Sequence, residues 1–382
     1  MSSLRDPKPQ AFSSLSCPVP EVSSRYEEAG VSLGLARQLK SQLFVRSRRQ
    51  PKDPRCLGEL GGFAGLFRAR FPGYRKPVLV ASTDGVGTKL ALATALQKYR
   101  GVGQDLVHHC INDIAVVGAK PLFFLDYLGV ARLEPRMFQE LLGGILTACR
   151  RWNCTLLGGE TAQLSDTFQP GHFELVGTIV GVVEESQRID GSKIQPGNIL
   201  VGLPSHGLHT NGYTLVRKIL EKTGFPLTEK PPGFRRPLGE ILLAVHRCYL
   251  PEIQILRRFQ VRGLAHITGG GLPENLLRIL PEGMGIELWL QSWPVPRIFS
   301  WLLQQGNLSW NEAYTVFNMG IGLVAVLPEN QWERCRQTLG RVFLIGRVIR
   351  SRRRVVHLVP KKSPEDHHNT MEAEGVEPSS SR

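Results

Sequence analysis

Residues Ala81–Leu90 read ASTDGVGTKL. Before them stands an apolar run, PVLVA, with the character of a buried strand; after them stands LALATAL, with the character of a helix. Asp84-Gly85 is good turn chemistry on its own. The same ten residues also place a carboxylate, two glycines and Lys89 between a strand and a helix, which suits a phosphorylated ligand and its metal. The rest of the chain has to decide between the two readings.

Outward from this stretch, strand and helix patterns alternate. PVLVAST, PLFFLDYLG, CTLLGGE and FELVGTIVGVVE read as strands. TKLALATALQKY, GQDLVHHCINDIAVVGA and PRMFQELLGGILTACRRW read as helices. The polar stretch near 187–197 marks a domain boundary. Beyond it come a strand (NILVGLPS) and helices over NGYTLVRKILEKT, GEILLAVHRCYLPEIQILRRF, PENLLRIL and VPRIFSWLLQQG. Strands over MGIGLVAVLP and VFLIGRVI follow, the second read as the last. This order predicts two α/β (α+β) domains over 25–186 and 187–360, with a Ser/Pro-rich lead over 1–24 and a polar tail over 361–382, both expected to be disordered.

The chain has 382 residues and a net charge of +14. Basic clusters lie over Arg37–Arg55 and Arg350–Lys362 without interleaved aromatic residues, so small anionic substrates are expected and nucleic acid is not. The seven cysteines form no CxxC pair, which argues against structural zinc. Their odd number and the lack of a signal peptide suit a reducing cytoplasm. ELVGTIVGVVEE is too short to span a bilayer, so no membrane is implicated.

Four stretches carry candidate chemistry. At 100° per residue, GQDLVHHCINDIAVVGA gathers Asp105, His109, Asn112 and Asp113 on one face. That face is either solvated surface or a source of hard oxygen ligands for Mg2+. LLGGETAQL sets Glu160 after Gly158 and Gly159 at a strand end, a common ligand position or a salt-bridged loop. HITGGGLPENLL runs Thr268, Gly269, Gly270 and Gly271 into a helix, an anion cradle or an ordinary turn. SHGLHTNGY places His209, Asn211 and Gly212 at another helix mouth, where His209 is a candidate proton carrier or a plain surface residue. Neither a dinucleotide fingerprint nor a P-loop is present.

In chain order, YEEAGV, LGGFAGLF, STDGVGTKL, NDIAVVGAKPLFFLDY, LLGGETA, IDGSKI, HTNGYTLVRKIL, TGGGLPENLLRILPEG and FNMGIG resemble the phosphoribosylformylglycinamidine cyclo-ligase (AIR synthetase) family over residues 25–350. The resemblance implies an ATP-dependent, Mg2+-assisted closure of formylglycinamidine ribonucleotide to aminoimidazole ribonucleotide in purine biosynthesis. It implies Asp84, Asp113 and Glu160 as metal ligands and Lys89, Asp113 and His209 as catalytic residues. Gly61, Gly62, Gly65, Asp84, Gly85, Lys89, Asn112, Gly158 and Gly159 would bind ATP. His209, Asn211, Gly212 and Thr268–Gly271 would hold the substrate. It also implies a homodimer in which strands of the two N-terminal domains form one barrel. Gln163 stands where the family tends to carry Glu, and the segment after AGV lacks its usual carboxylates. The alternatives are another ATP-dependent enzyme of the superfamily and a non-catalytic nucleotide-binding homologue.

Overall fold

A computed structural model describes residues 33–48, 53–57 and 60–360; the lead over 1–24, YEEAGV and the tail over 361–382 lie outside them. The first unit opens with helix α1 (Leu33–Arg48) and a hairpin of β1 (Cys56–Leu57) and β2 (Leu66–Phe67). There follow β3 (Pro77–Gly85), α2 (Lys89–Leu96), α3 (Arg100–Ala115), β4 (Lys120–Val130), α4 (Pro135–Arg151), β5 (Thr155–Gln163) and β6 (Phe173–Glu184). The sheet order is β3-β6-β4-β5, with β4 and β5 parallel and β6 antiparallel to both its neighbours. Hence β3, β4 and β5 all point the same way.

Period-two alternation makes this sheet two-faced. Phe173, Leu175 and Ile179 of β6 are buried beneath α3 and α4, while Val176, Thr178 and Val180 point to the other side. That other side carries Leu79, which is 60% exposed. The covering helices press close because glycines stand where they cross. A Cβ on Gly103 would lie 2.2 Å from the Leu141 carbonyl oxygen, and one on Gly144 would lie 2.1 Å from that of Arg100. Helix α4 starts where Glu134 accepts from the N–H groups of Arg136 and Met137, with Pro135 in its first turn.

The second unit contains β7 (Ile199–Pro204), α5 (Tyr213–Thr223), α6 (Leu238–Leu242), α7 (Leu250–Leu256), β8 (Gly263–His266), α8 (Gly271–Leu277) and β9 (Met284–Leu290). It ends with α9 (Arg297–Gly306), α10 (Trp310–Val316), β10 (Ile321–Leu327), α11 (Trp332–Leu339), β11 (Phe343–Arg350) and β12 (Val355–Pro360). Its sheet runs β12-β9-β11-β7-β10-β8, antiparallel except for β12 on β9. Every residue of β10 is buried. Leu323, Ala325 and Leu327 join the core that reaches Leu106 and Ile111 of α3, whereas Val324 and Val326 pack with Leu272, Phe299 and Phe317. One apolar core therefore runs through the junction of the two units.

Two sequence expectations change. The helix expected over Gly239–Phe259 is broken: α6 stops at Leu242 and α7 starts at Leu250. Between them the backbone of Ala244–Tyr249 finds its partners on the first unit. Lys89 Nζ donates to the Ala244 carbonyl (2.8 Å) and the His246 N–H donates to Asp105 (2.7 Å). Asn112 donates to the Arg247 carbonyl (2.9 Å) and accepts from the Tyr249 N–H (2.8 Å). These tertiary bonds replace the helical ones. The chain also continues past β11, so β11 is not the last strand: β12 adds to β9 as a further edge.

Candidate functional site

The polar face of α3 does not meet solvent. It faces the second unit across the junction, and Asp105, His109 and Asn112 are buried there. Asp84 comes to the same place from the C-terminal end of β3. Its Oδ2 lies 2.8 Å from His109 Nε2, and its Oδ1 accepts the Gly85 N–H at 2.7 Å. Asp113 Oδ2 is 3.7 Å from that same His109 nitrogen, and Asp113 Oδ1 lies 2.8 Å from His266 Nδ1. One imidazole thus brackets both carboxylates, which stay partly open, at 42% and 25% side-chain exposure.

Behind the carboxylates a hydrogen-bonded chain crosses between the units. His109 Nδ1 meets Thr210 Oγ1 (2.9 Å), Thr210 Oγ1 meets His246 Nδ1 (3.4 Å), and His246 Nε2 meets His266 Nε2 (3.0 Å). From His109 to Asp113 there are four hydrogen-bonded links: His109–Thr210, Thr210–His246, His246–His266 and His266–Asp113. One hydroxyl and three neutral imidazoles supply the four protons these links need. Burial alone would lower the His109 pKa, but the Asp84 carboxylate beside it and the charges of Asp113 and Asp105 raise it. Burial lowers His246 and His266, in spite of the Asp113 bond to the latter. For Asp84 and Asp113 burial pushes upward, yet the imidazoles beside them hold both carboxyls below their ordinary value.

The remaining sequence-derived candidates separate into groups. Lys89 is fully buried: it pairs with Asp105 at 2.7 Å besides holding the Ala244 carbonyl, so it presents no charge to an open surface. Asn112 is likewise buried, as a clamp on the 244–249 backbone. His209, expected at a helix mouth, is buried with φ +64°; it stacks on His246 with ring centroids 4.0 Å apart, and its Nδ1 has no partner among the described residues. Asn211 and the Thr268–Gly271 turn do stand together, since a Cβ on Gly269 would lie 3.6 Å from Asn211 Oδ1. Gly212 precedes α5 at φ +79° and Gly270 precedes α8 at φ +86°. Asn275 braces the turn by donating to the carbonyls of Gly269 (3.1 Å) and Gly271 (2.8 Å). The turn follows β8, whose last residue is His266, so it opens beside Asp113.

Gly61, Gly62 and Gly65 lie with Gly158 and Gly159 around a separate cavity of about 590 Å³ that includes Phe63, Phe123 and Leu157. Glu160 is not beside the other two carboxylates. Asp84 pairs with Gly177, Gly177 with Asp126 and Asp126 with Gly159, so β5 lies three strand spacings from β3, about 14 Å. Glu160 is 67% exposed and lies 3.7 Å from Lys40 Nζ on α1. Gln163 Oε1 accepts the Leu133 N–H at 3.4 Å.

The sequence reading missed His246, His266 and the partner roles of Thr210 and Asp105. A lone histidine in AVHRCY carries no signal. HITGGG did carry one, because His266 stands two residues before the Gly-rich turn.

Asp84 and Asp113 offer partly open carboxylate oxygens of the hard kind that Mg2+ takes; among the described residues, the groups close enough to share one metal ion are His109, Asp113 and His266, and His209, His246 and His266. No helix among the described residues is long and apolar enough to cross a membrane.

Residues 70–183 match the model of the AIR synthase related protein N-terminal domain, and residues 195–359 match that of the C-terminal domain. Phosphoribosylformylglycinamidine cyclo-ligase of Synechococcus sp. (strain JA-2-3B'a(2-13)) is 44% identical over 85% of this chain and 93% of its own. The protein of that name from Geobacter metallireducens is 43% identical over 85% of this chain and 95% of its own. Among solved structures, thiamine-monophosphate kinase from Stenotrophomonas maltophilia K279a matches 83% of this chain and 95% of its own, with TM-score 0.62 and 18% identity. Hydrogenase maturation protein HypE in complex with ATP matches 87% of this chain and 94% of its own, with TM-score 0.61 and 18% identity. These two likenesses concern the fold.

Proposed function

Because the chain belongs to the phosphoribosylformylglycinamidine cyclo-ligase family, we propose that it closes formylglycinamidine ribonucleotide to 5-aminoimidazole ribonucleotide with consumption of ATP. The γ-phosphoryl group passes to the formyl amide oxygen. The amidine nitrogen attacks that carbon, phosphate leaves, and a proton is lost from nitrogen. The observation that carries the reading is the Asp84–Asp113 pair opening beside the Asn211 and Thr268–Gly271 turn at the junction of the two units.

Asp84 and Asp113 would hold Mg2+, which when bound offsets the charge of the triphosphate. Asn211 and the turn would hold the ribose phosphate, and the Gly61–Gly65 loop would cover the nucleotide with Gly158 and Gly159. Glu160, apart from the first two carboxylates, would serve a separate position. Lys89 and Asn112 act from beneath as struts between the units, and His209 supports His246 by stacking. The exposed Leu79, at one edge of the sheet face that also lines the Gly61–Gly65 cavity, supports a homodimer closed through β3, β4, β5 and β6.

The test mixes purified protein, ATP, Mg2+ and formylglycinamidine ribonucleotide, and follows ADP and the aminoimidazole together. Equal formation of both is expected. ADP without the imidazole would point to another substrate, and neither product to a nucleotide-binding homologue.

A further inference from the structure

His109 ends the hydrogen-bonded chain that crosses the junction, and its outer nitrogen meets the carboxylate pair. Asp113 Oδ1 can only accept, so His266 Nδ1 carries the proton between them (2.8 Å). His266 Nε2 then accepts from His246 Nε2 (3.0 Å), His246 Nδ1 accepts from the Thr210 hydroxyl (3.4 Å), and Thr210 Oγ1 accepts from His109 Nδ1 (2.9 Å). Fixed link by link from an ionised Asp113, this direction leaves a lone pair on His109 Nε2. That nitrogen is buried and has no hydrogen-bond partner among the described residues. Asp84 Oδ2 nevertheless lies 2.8 Å from it, and Asp113 Oδ2 lies 3.7 Å from it. Two carboxylate oxygens thus face an unpaired nitrogen, and no lysine or arginine among the described residues pairs with either carboxylate. A proton on Nε2 relieves the contact when no ion is bound, and a metal ion takes its place by displacing it.

The parts are those of a mixed nitrogen and oxygen metal centre. His109, Asp113 and His266 lie close enough to share one ion. Ligand atoms stand about 2.0–2.2 Å from such an ion, hence roughly 3–4 Å from one another, and the two spacings at His109 Nε2 are close to that. Metal-bound imidazoles ordinarily give their second N–H to a fixed acceptor, as His109 Nδ1 does to Thr210. Bound carboxylates are themselves hydrogen-bonded, as Asp113 is by His266 and by the Ser82 hydroxyl (3.3 Å). The partly open Asp84 and Asp113 provide the way in from solvent. Mg2+ takes oxygen ligands, whereas an imidazole nitrogen favours later first-row ions. We infer that His109 Nε2 is a ligand of the divalent ion at the Asp84–Asp113 centre, which owes to this imidazole a preference for Co2+ or Zn2+ over Mg2+. The inference rests on the reading of those two carboxylates as metal ligands in the function proposed above.

The experiment uses the full chain stripped of metal and reads binding rather than turnover. In His109→Gln, Co2+ affinity by calorimetry should fall at least roughly tenfold, with Mg2+ affinity within about threefold of the parent's. With Mn2+ bound, pulsed electron paramagnetic resonance should show coupling to an imidazole nitrogen in the parent. The coupling should vanish in His109→Gln and persist in His266→Gln, so either variant decides if the other does not fold. The inference is overturned if Mn2+ on the parent shows no nitrogen coupling, if the coupling survives in His109→Gln or vanishes in His266→Gln, or if Co2+ and Mg2+ affinities fall together. Closure of the ribonucleotide without nitrogen coupling would leave the proposed function standing and remove His109 from the metal. Nitrogen coupling without closure would do the reverse.

Discussion

Lys89→Met separates two roles for this lysine. In the structure both partners of the Lys89–Asp105 pair are fully buried at 2.7 Å, and the ammonium also holds the Ala244 carbonyl. Removing one member leaves Asp105 charged and unpaired, a loss of about 3–5 kcal/mol. At about 2–4 °C per kcal/mol for domains of this size, the melting temperature should fall by roughly 10 °C. Lys89→Met with Asp105→Asn removes both charges and keeps an oxygen for the His246 N–H, so about 2 kcal/mol or more should return. Urea unfolding of the parent, the single and the double variants, with ATP turnover measured on each, tests this. The reasoning is refuted if the single variant loses less than about 1 kcal/mol yet has no ATP turnover, because Lys89 would then leave Asp105 for the phosphates.

Other expectations follow from the same geometry. Asp113→Ala should abolish ATP turnover with an unchanged circular dichroism spectrum; near-normal turnover would exclude Asp113 as a metal ligand. Burial holds His209 and His246 well below the ordinary histidine value, so as pH falls below about 6.5 the unfolded chain takes up protons that the folded chain refuses. Stability present above that pH should then decline toward pH 5 by up to about 2.7 kcal/mol per unit for the two groups; flat unfolding free energies over that range would count against both being neutral. Leu79→Asp should convert a dimer to a monomer by light scattering, and an unchanged mass would remove the sheet face from the interface.

Elements with strong local periodicity were legible in the sequence. β6 occupies Phe173–Glu184, the residues its pattern indicates, and α3 shows the polar face read from 100° steps. What that face meets was not legible, because a pattern reports polarity and not the partner. Asn112 and Asp105 find theirs at 246–249, more than 130 residues away. The break between α6 and α7 was hidden for the same reason: its apolar spacing suits a helix until distant side chains claim the backbone. The family resemblance groups Glu160 with Asp84 and Asp113 as metal ligands. The strand order β3-β6-β4-β5 holds it away, and nothing in the residues themselves announces that order.

The Ala244–Tyr249 segment is gripped largely through its main chain: three carbonyls and two N–H groups carry the bonds to Lys89, Asp105, His108 and Asn112. At Arg247, side-chain identity is therefore decoupled from this grip, whereas Cys248 and Tyr249 also pack into the core shared with the first unit. Alanine at 247 leaves every one of these contacts in place, whereas proline at 246 or 249 deletes a donor that the first unit needs. Variation along this stretch should be sorted first by its effect on amide hydrogens and carbonyls, with the imidazole at 246 held separately by Thr210, His266 and the His209 ring.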